Sequence, residues 1–553
     1  MRRSRSVTMA VLGSLLLAAC SNETGPVDPP PITCTDASTQ ALAVGQYQVI
    51  DPAQAGACVR FPAAGAGGAE HLYIALSTAG RETGAGVSTS YAIAGVPPTL
   101  ATRGSARSRL LHTSGPPSAP AAFHGRLRAY ERTVAGRPEP AVSGQSRAAT
   151  AARVPVAVGT QRTFHVLASA TRVDTFVQVS ATAVFSRGHV AIYLDDVVPP
   201  GGYSQADIDN VGALFDDHLY RIDTLAFGRE SDIDGNGQVL VLLSDEVNKL
   251  GNCTGGATQT VAGFFFAADL RTTFANSNES EVFYGWVPGS CGVTLGQAIT
   301  FLPEVFVHEF QHMISFNQHV LVEGGSSEAT WLNEGLSTFA EELAARSVPA
   351  DRCVNSDCLT QFAASNLDNA ASYLSSPESY YLVVPGDSVL ALAEYGATWL
   401  FTRWLVDHFA AQQPLGADLT RRLVQTDQVG YANVESVTGE AFPTLVSQWQ
   451  IANFLDNLPG VVPGSTRLQY TSWDLRTAFG TPYPLLPDTT VNGLDDFGLP
   501  YDRSGSLRAG SGVQVLIGQS PGGGVVDFRL TDANGGTVPA ATAEPRIALF
   551  RIR

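Results

Sequence analysis

The 553-residue sequence predicts an α+β protein: a mainly helical central domain with a small β-sheet subdomain, flanked by N-terminal and C-terminal β-rich domains. Three observations predict it. Apolar residues recur at helical spacing around positions 301–316 and again over 330–346. Short runs with period-two alternation dominate the chain before residue 200, and Gly-rich, strand-like runs return after Asn492. A hydrophobic content of 44% is enough to bury a sizeable core, and the length implies several domains. The net charge of -17 argues against nucleic acid as a partner. No internal repeat of fixed period stands out.

The N-terminus reads as an export signal. Arg2, Arg3 and Arg5 precede an apolar run from Val7 to Ala19 that is too short to span a membrane as an ordinary helix. The run closes in Leu17-Ala18-Ala19-Cys20, an ending that resembles a bacterial lipobox. That resemblance implies that residues 1–20 are a lipoprotein-type signal and that Cys20 carries a lipid tying the protein to a membrane of the cell envelope. Cleavage after an A-x-A-like site without lipid, giving a secreted protein, is the plainer alternative. Residues 21–33 are short, polar and Pro-rich, suited to a tether. Cysteine counting supports export, because setting Cys20 aside leaves an even number for disulfides. Sequence does not fix connectivity; local pairing joins Cys34 with Cys58, Cys253 with Cys291, and Cys353 with Cys358.

Residues 34–195 are expected to form an N-terminal β-rich domain. Alternation appears in Gln46-Tyr-Gln-Val-Ile50 and His71-Leu-Tyr-Ile-Ala75, then in Thr163-Phe-His-Val-Leu167, Thr175-Phe-Val-Gln-Val-Ser180 and Val190-Ala-Ile-Tyr193. Between them, residues 101–153 are rich in Arg, Ala, Ser and Pro, a composition read as a linker or disordered insertion, with Ala121 to Val134 able to make a short helix. The central domain is expected over 196–485. It opens with a helix through Tyr220, capped by Ser204 with Asp207 in the capping-box position, and continues into a strand at Val239 to Leu243. Before that strand, Asp232, Asp234 and Asn236 in Asp232-Ile-Asp-Gly-Asn-Gly237 alternate like the oxygen donors of a calcium loop. The twelfth position is Leu243 rather than Glu, and a Gly-Asn-Gly turn into the strand is the simpler reading. Asp387 to Ala411 and Thr444 to Leu455 read as helices. Residues 492–553 are expected to form a separate β-rich appendage, with strands such as Val513-Gln-Val-Leu-Ile517 and Val525-Val-Asp-Phe-Arg529.

The chemistry concentrates in Val307-His308-Glu309-Phe310-Gln311-His312 and Trp331-Leu332-Asn333-Glu334-Gly335. Residues four apart share one helical face, so His308 and His312 can aim two imidazole nitrogens at one zinc ion about 2.0–2.1 Å away. A third ligand from a second helix leaves one tetrahedral position for water, whose pKa the ion lowers to about 7, and Glu309 stands where it can take that water's proton. Two histidines on an apolar helix are often only satisfied core residues. Phe301, Leu302, Val305, Phe306, Met313, Ile314 and Phe316 bury this one on most sides, and a buried charge needs a partner that a metal supplies. The second helix runs from Thr330, a candidate cap, to Arg346. Rival ligands are fewer. His319 lies seven residues beyond His312, about 10 Å along the axis, too far to share the ion. Glu323 and Glu328 sit in the connecting loop, while Glu341 and Glu342 read as solvated charges or as partners of a ligand imidazole.

H-E-F-Q-H with a downstream N-E-G resembles the gluzincin metallopeptidases, and the longer pattern is most similar to secreted bacterial hyicolysin-like peptidases. The resembling segments are Phe227-Gly228, Asp232 to Gly237, Val261-Ala-Gly-Phe264, His308 to Asn317, Trp331 to Glu342 and Tyr395-Gly-Ala-Thr-Trp-Leu-Phe401. The resemblance implies a zincin-like catalytic domain, Zn2+ as cofactor, Glu334 as third ligand, and a protein or peptide as substrate. Residues 313–333, between His312 and Glu334, exceed the usual gluzincin interval, so the loop Gln318 to Ala329 is longer. The resemblance also makes Tyr395 a candidate donor to the oxyanion of peptide hydrolysis, although here Tyr and Gly-Ala adjoin where the family pattern has one residue between. The bland reading packs Tyr395 in the core with Trp399 and Trp404; Tyr380 and Tyr381 are reserves. Two function classes follow: a zinc endopeptidase with Glu309 as general base, and a cell-surface binding or adhesion protein on an inactive peptidase-like core. The retention of Glu309 between both histidines favours the first.

Overall fold

The computed structural model describes residues 34, 37–55, 57–84, 87–96, 118–137, 153–386, 388–413, 415–535 and 538–553. The signal, Cys20 and the tether lie outside the described residues. Helices and strands are both abundant, so the α+β class holds. Among the described residues no helix is long and apolar enough to cross a membrane.

Strands pair differently from the division expected along the chain. The two chain ends share a pair of five-stranded sheets. In one, Cys58–Phe61 and Ser88–Val96 flank the C-terminal strand Val526–Thr531; in the other, Gly512–Gln519 and Pro545–Arg551 flank Ala69–Ser77. Thus the expected 492–553 appendage is hydrogen-bonded into the expected N-terminal domain. Phe61, Tyr73, Ile93, Val515, Phe528 and Leu549 fill the space between these sheets. The opposite face of the second sheet, with Leu72, Ile74, Ala548 and Phe550, belongs to the main helical core. Burial on both faces explains why Leu72 to Leu76 reads as a continuous apolar run.

The strands from 161 to 195 instead join the central domain. A six-stranded sheet runs in the order Gly263–Phe265, Val282–Gly285, Val239–Leu243, Val190–Asp195, Phe176–Arg187, Gln161–Leu167. Alternation tells which face of a strand is buried but not which strand it pairs with, and these pairings are far apart in sequence.

Five helices frame the site. Helix α1 (Ala119–Ala135) is the short helix expected at Ala121 to Val134 inside the expected linker or disordered insertion, and it is packed, with Phe123, Leu127 and Val134 buried. The flanking residues 101–117 and 138–152 lie outside the description. Helix α2 (Leu295–Phe316) starts at Thr294, whose hydroxyl caps the Gln297 amide while Gln297 returns the bond. It buries Leu302, Phe306, Phe310, Met313 and Ile314; Phe301 faces outward. Helix α3 (Thr330–Ser347) has Ala329 at its capping position and so no side-chain cap; Thr330, the expected cap, is inside the helix, and its hydroxyl accepts from Arg132 of α1 at 2.7 Å. Helices α4 (Cys358–Ser375) and α5 (Leu392–Phe409) pack around α3. Gly335 permits this: a Cβ there would meet Thr402 Oγ1 at 2.7 Å and the Thr398 carbonyl at 3.0 Å. The three expected disulfides are present: Cys34–Cys58, Cys253–Cys291 and Cys353–Cys358.

Candidate metal centre

Helix α2 presents His308 and His312 on one face, and α3 crosses it so that Glu334, in its first turns, meets both. Nε2 of His308 lies 3.1 Å from Nε2 of His312. Oε2 of Glu334 is 3.4 Å from the first and 3.5 Å from the second. Three ligands bonded to one tetrahedral zinc at 2.0–2.1 Å stand about 3.4 Å from one another, so this triangle has the size that such an ion requires. The donor set also fits by chemistry. Glu334 is 1% exposed, and its Oε2 has no hydrogen-bond donor. Among the described residues, His308, His312 and Glu334 form one of two acidic or imidazole groups able to hold a metal ion.

The outer partners aim these ligands. Nδ1 of His308 contacts Oε1 of Glu341 at 2.6 Å. Nδ1 of His312 meets Ser337 Oγ at 3.1 Å, and that hydroxyl donates to Gln311 Oε1. With each Nδ1–H given to an acceptor, both Nε2 lone pairs turn toward Glu334. Burial pushes the Glu334 carboxyl up, but the imidazoles of His312 and His308 outweigh it and hold the group well below the usual carboxylate range. Burial pushes His308 down, yet Glu334 and Glu341 hold it well above the usual imidazole range. His312 is pushed down to about 4 by burial and by the Arg128 guanidinium. The Glu334 carboxylate thus favours positive charge where the three donors converge, and His312 stays neutral beside it.

Glu309 is buried, and its Oε2 accepts the Phe265 amide of the edge strand at 2.8 Å. Burial raises its pKa, but the charges of His308, His312, His124 and Arg128 bring it below the ordinary value, so it stands as a carboxylate. Tyr395 is half-buried and lines, with His308, Glu309 and Glu341, a cavity of about 510 Å³ beside the three donors. That position borders the cleft, while Tyr395 also packs against the buried cluster that holds Trp399 and Trp404. Tyr380 borders a different cavity, and Tyr381 lies beneath Arg508.

The rival ligands have other partners. His319 bonds the Thr426 carbonyl at 2.7 Å. Glu328 accepts from Ala329, Gly430 and Asn433. Glu342 is not solvated: fully buried, it accepts from Trp399, Trp473, Arg346 and Arg403. The loop at 232–237 is a turn closed by its own hydrogen bonds, with Asn236 spent on them. Asn236 donates to Asp234 at 2.7 Å and caps the Gln238 amide, while Arg153 pairs with Asp232 at 3.0 Å. The carboxylate that joins Asp232 and Asp234 is Glu281, distant in sequence. Calcium has no support here.

Sequence reasoning missed His124, Arg128, Glu304 and Asn366. His124, Glu304 and Asn366 line the cavity, and Arg128 Nε comes within 3.9 Å of Glu334. Phe123, Leu127 and Val134 at helical spacing were the signal that α1 had a buried face.

This geometry agrees with what the sequence matches. The chain is similar to a neutral metalloprotease. That protein is the neutral metalloprotease ShpI of Staphylococcus hyicus, 25% identical over 230 residues that cover 39% of this chain. The match spans 44% of the relative, so the chain covers less than half the length of that protein. No family model matches the chain. The match and the His-His-Glu group together support a relationship to metallopeptidases and a bound metal.

Proposed function

We propose that the protein is an exported zinc metallopeptidase of gluzincin type that hydrolyses peptide bonds with Glu309 as general base. The observation that carries this reading is the triangle of His308, His312 and Glu334 donors with the Glu309 carboxylate beside it in a cleft. His308, His312 and Glu334 would hold the zinc, which would supply Lewis acidity and lower the pKa of the attacking water toward neutrality. Glu309 accepts the proton of the attacking water and returns it to the departing amine. Tyr395 donates a hydrogen bond to the carbonyl oxygen as negative charge develops there. Glu341 and Ser337 fix the imidazole orientations throughout.

The three disulfides fit an oxidising compartment, consistent with export by the signal at 1–20. A lipid on Cys20 would then hold the enzyme at the cell envelope. The test is a chelator-sensitive casein assay on the folded, zinc-loaded protein beside its Glu309→Gln form. Cleavage by the first and none by the second is expected; a wild type that binds zinc and cleaves no peptide would leave the binding-protein reading instead.

A further inference from the structure

Helix α1 lies along the edge that a peptide would need. Gly263–Phe265 is the edge strand of the six-stranded sheet, and its Phe265 amide already reaches Glu309, so the free main-chain groups of this strand face the candidate centre. Extended peptides dock on such edges by main-chain pairing. Here α1 packs against that edge. Phe123 packs edge-on against Phe264 with ring centroids 5.3 Å apart, Arg128 donates to the Phe265 carbonyl at 3.5 Å, and Tyr130 stacks on Phe266 at 5.6 Å. Both outward groups of Phe265 are therefore engaged, one by Glu309 and one by α1.

Arg128 ties this contact to the centre. Its guanidinium is 3% exposed, ion-pairs with Glu131 at 2.8 Å and lies 3.9 Å from Glu334 Oε1. Its Nη1 makes the contact to Glu131 and its Nε the longer one to Glu334. Arg128 thus links α1 at once to Glu131 of its own helix, to the edge strand and to Glu334 of the candidate centre. Composition agrees: α1 is the single described element within 101–153, and the stretches on both sides of it are rich in Arg, Ser, Ala and Pro rather than in core residues.

We propose that α1 is an occluding segment of this chain, seated on the free edge beside His308, Glu309 and Glu334, whose displacement admits an extended peptide. The inference rests on the peptidase reading above for the occupant that α1 excludes. Two preparations test it. In one, recognition sequences for a site-specific protease placed within 105–110 and 143–148 allow α1 to be excised. In the other, Gly125→Leu drives a wedge against Val389, whose Cγ2 would stand 2.9 Å from even a Cβ there. Three readouts apply: binding of a dipeptide hydroxamate to the zinc-loaded protein, cleavage of a quenched peptide pool, and amide hydrogen exchange of residues 263–266 in the metal-free protein.

Excision or wedging is expected to tighten hydroxamate binding and raise kcat/KM at least about tenfold, to speed exchange at 263–266, and to be reversed by a synthetic peptide spanning 118–137. Where the excised protein does not stay folded, the wedge variant decides. Unchanged or weaker hydroxamate binding and unchanged exchange would overturn the proposal and make α1 a fixed wall of the cleft. Tighter hydroxamate binding with no peptide cleaved would keep the occlusion and remove the peptidase reading.

Discussion

In the proposed mechanism Glu309 carries the chemistry and Glu334 the metal, and single substitutions separate the two. Glu309→Gln keeps the three donors, so bound zinc should stay at the wild-type level while kcat falls about 10²–10⁴-fold, as read by metal analysis beside peptide assay. Tyr395→Phe removes the proposed hydrogen bond to the developing oxyanion. It should lower kcat about 10²-fold with zinc content unchanged, and a wild-type rate would return Tyr395 to a packing role. Glu341→Gln weakens the hold on His308 Nδ1 and should reduce zinc affinity about 10–100-fold in a competition titration. Glu281 gives a pH signature apart from the centre. Burial raises its pKa to about 7 from 4.5, aided by the neighbouring Asp234 charge, while one of its oxygens accepts Ser231 and Ile233 and the other has no donor. The folded state then holds a proton that the unfolded state has lost, so stability declines as pH rises from about 4.5 to 7 and levels off above. Glu281→Gln should flatten that decline by on the order of 2 kcal/mol in denaturant titrations at pH 5 and pH 8.

At the level of elements, the residue after the third ligand sets how closely α3 and α5 approach. Gly335→Ala would force its Cβ against Thr402 and the Thr398 carbonyl. The expected cost is about 1–3 kcal/mol in thermal unfolding, with a loss of zinc affinity because Glu334 moves with the helix. The candidate metal group was legible in sequence because the spacing of His308 and His312 within a helix and a recognisable downstream Glu are local signals. The helix opened by Ser204 and the strand at Val239–Leu243 were legible for the same reason. Helix α1 was half-legible. Its buried positions have helical spacing, but Ala, Gly and Arg dilute them, and the surrounding composition outweighed the pattern. Arg128 and His124 gave no sign of their role, because it depends on where α1 docks and not on what it is made of.

The whole molecule is organised by pairing between its ends. Ala69–Ser77 is held on one side by Gly512–Gln519 and on the other by Pro545–Arg551, and Ser88–Val96 lies between Val526–Thr531 and Asp502–Arg508. Truncation after residue 487 should therefore not trim off an appendage. It should strip partners from the N-terminal strands, expose Tyr73, Ile93 and their neighbours, and yield aggregated protein by size-exclusion chromatography; a soluble monomer would contradict this pairing. Alternation in the N-terminal and C-terminal runs was readable as strand, but partner choice over hundreds of residues leaves no local trace, so the two β-rich regions looked independent. The one measurement nearest the central claim is anomalous scattering at the zinc edge from crystals of the zinc-loaded protein. A single strong peak about 2.0–2.2 Å from His308 Nε2, His312 Nε2 and a Glu334 oxygen is the predicted result. A peak elsewhere, or none between these three side chains, would contradict it.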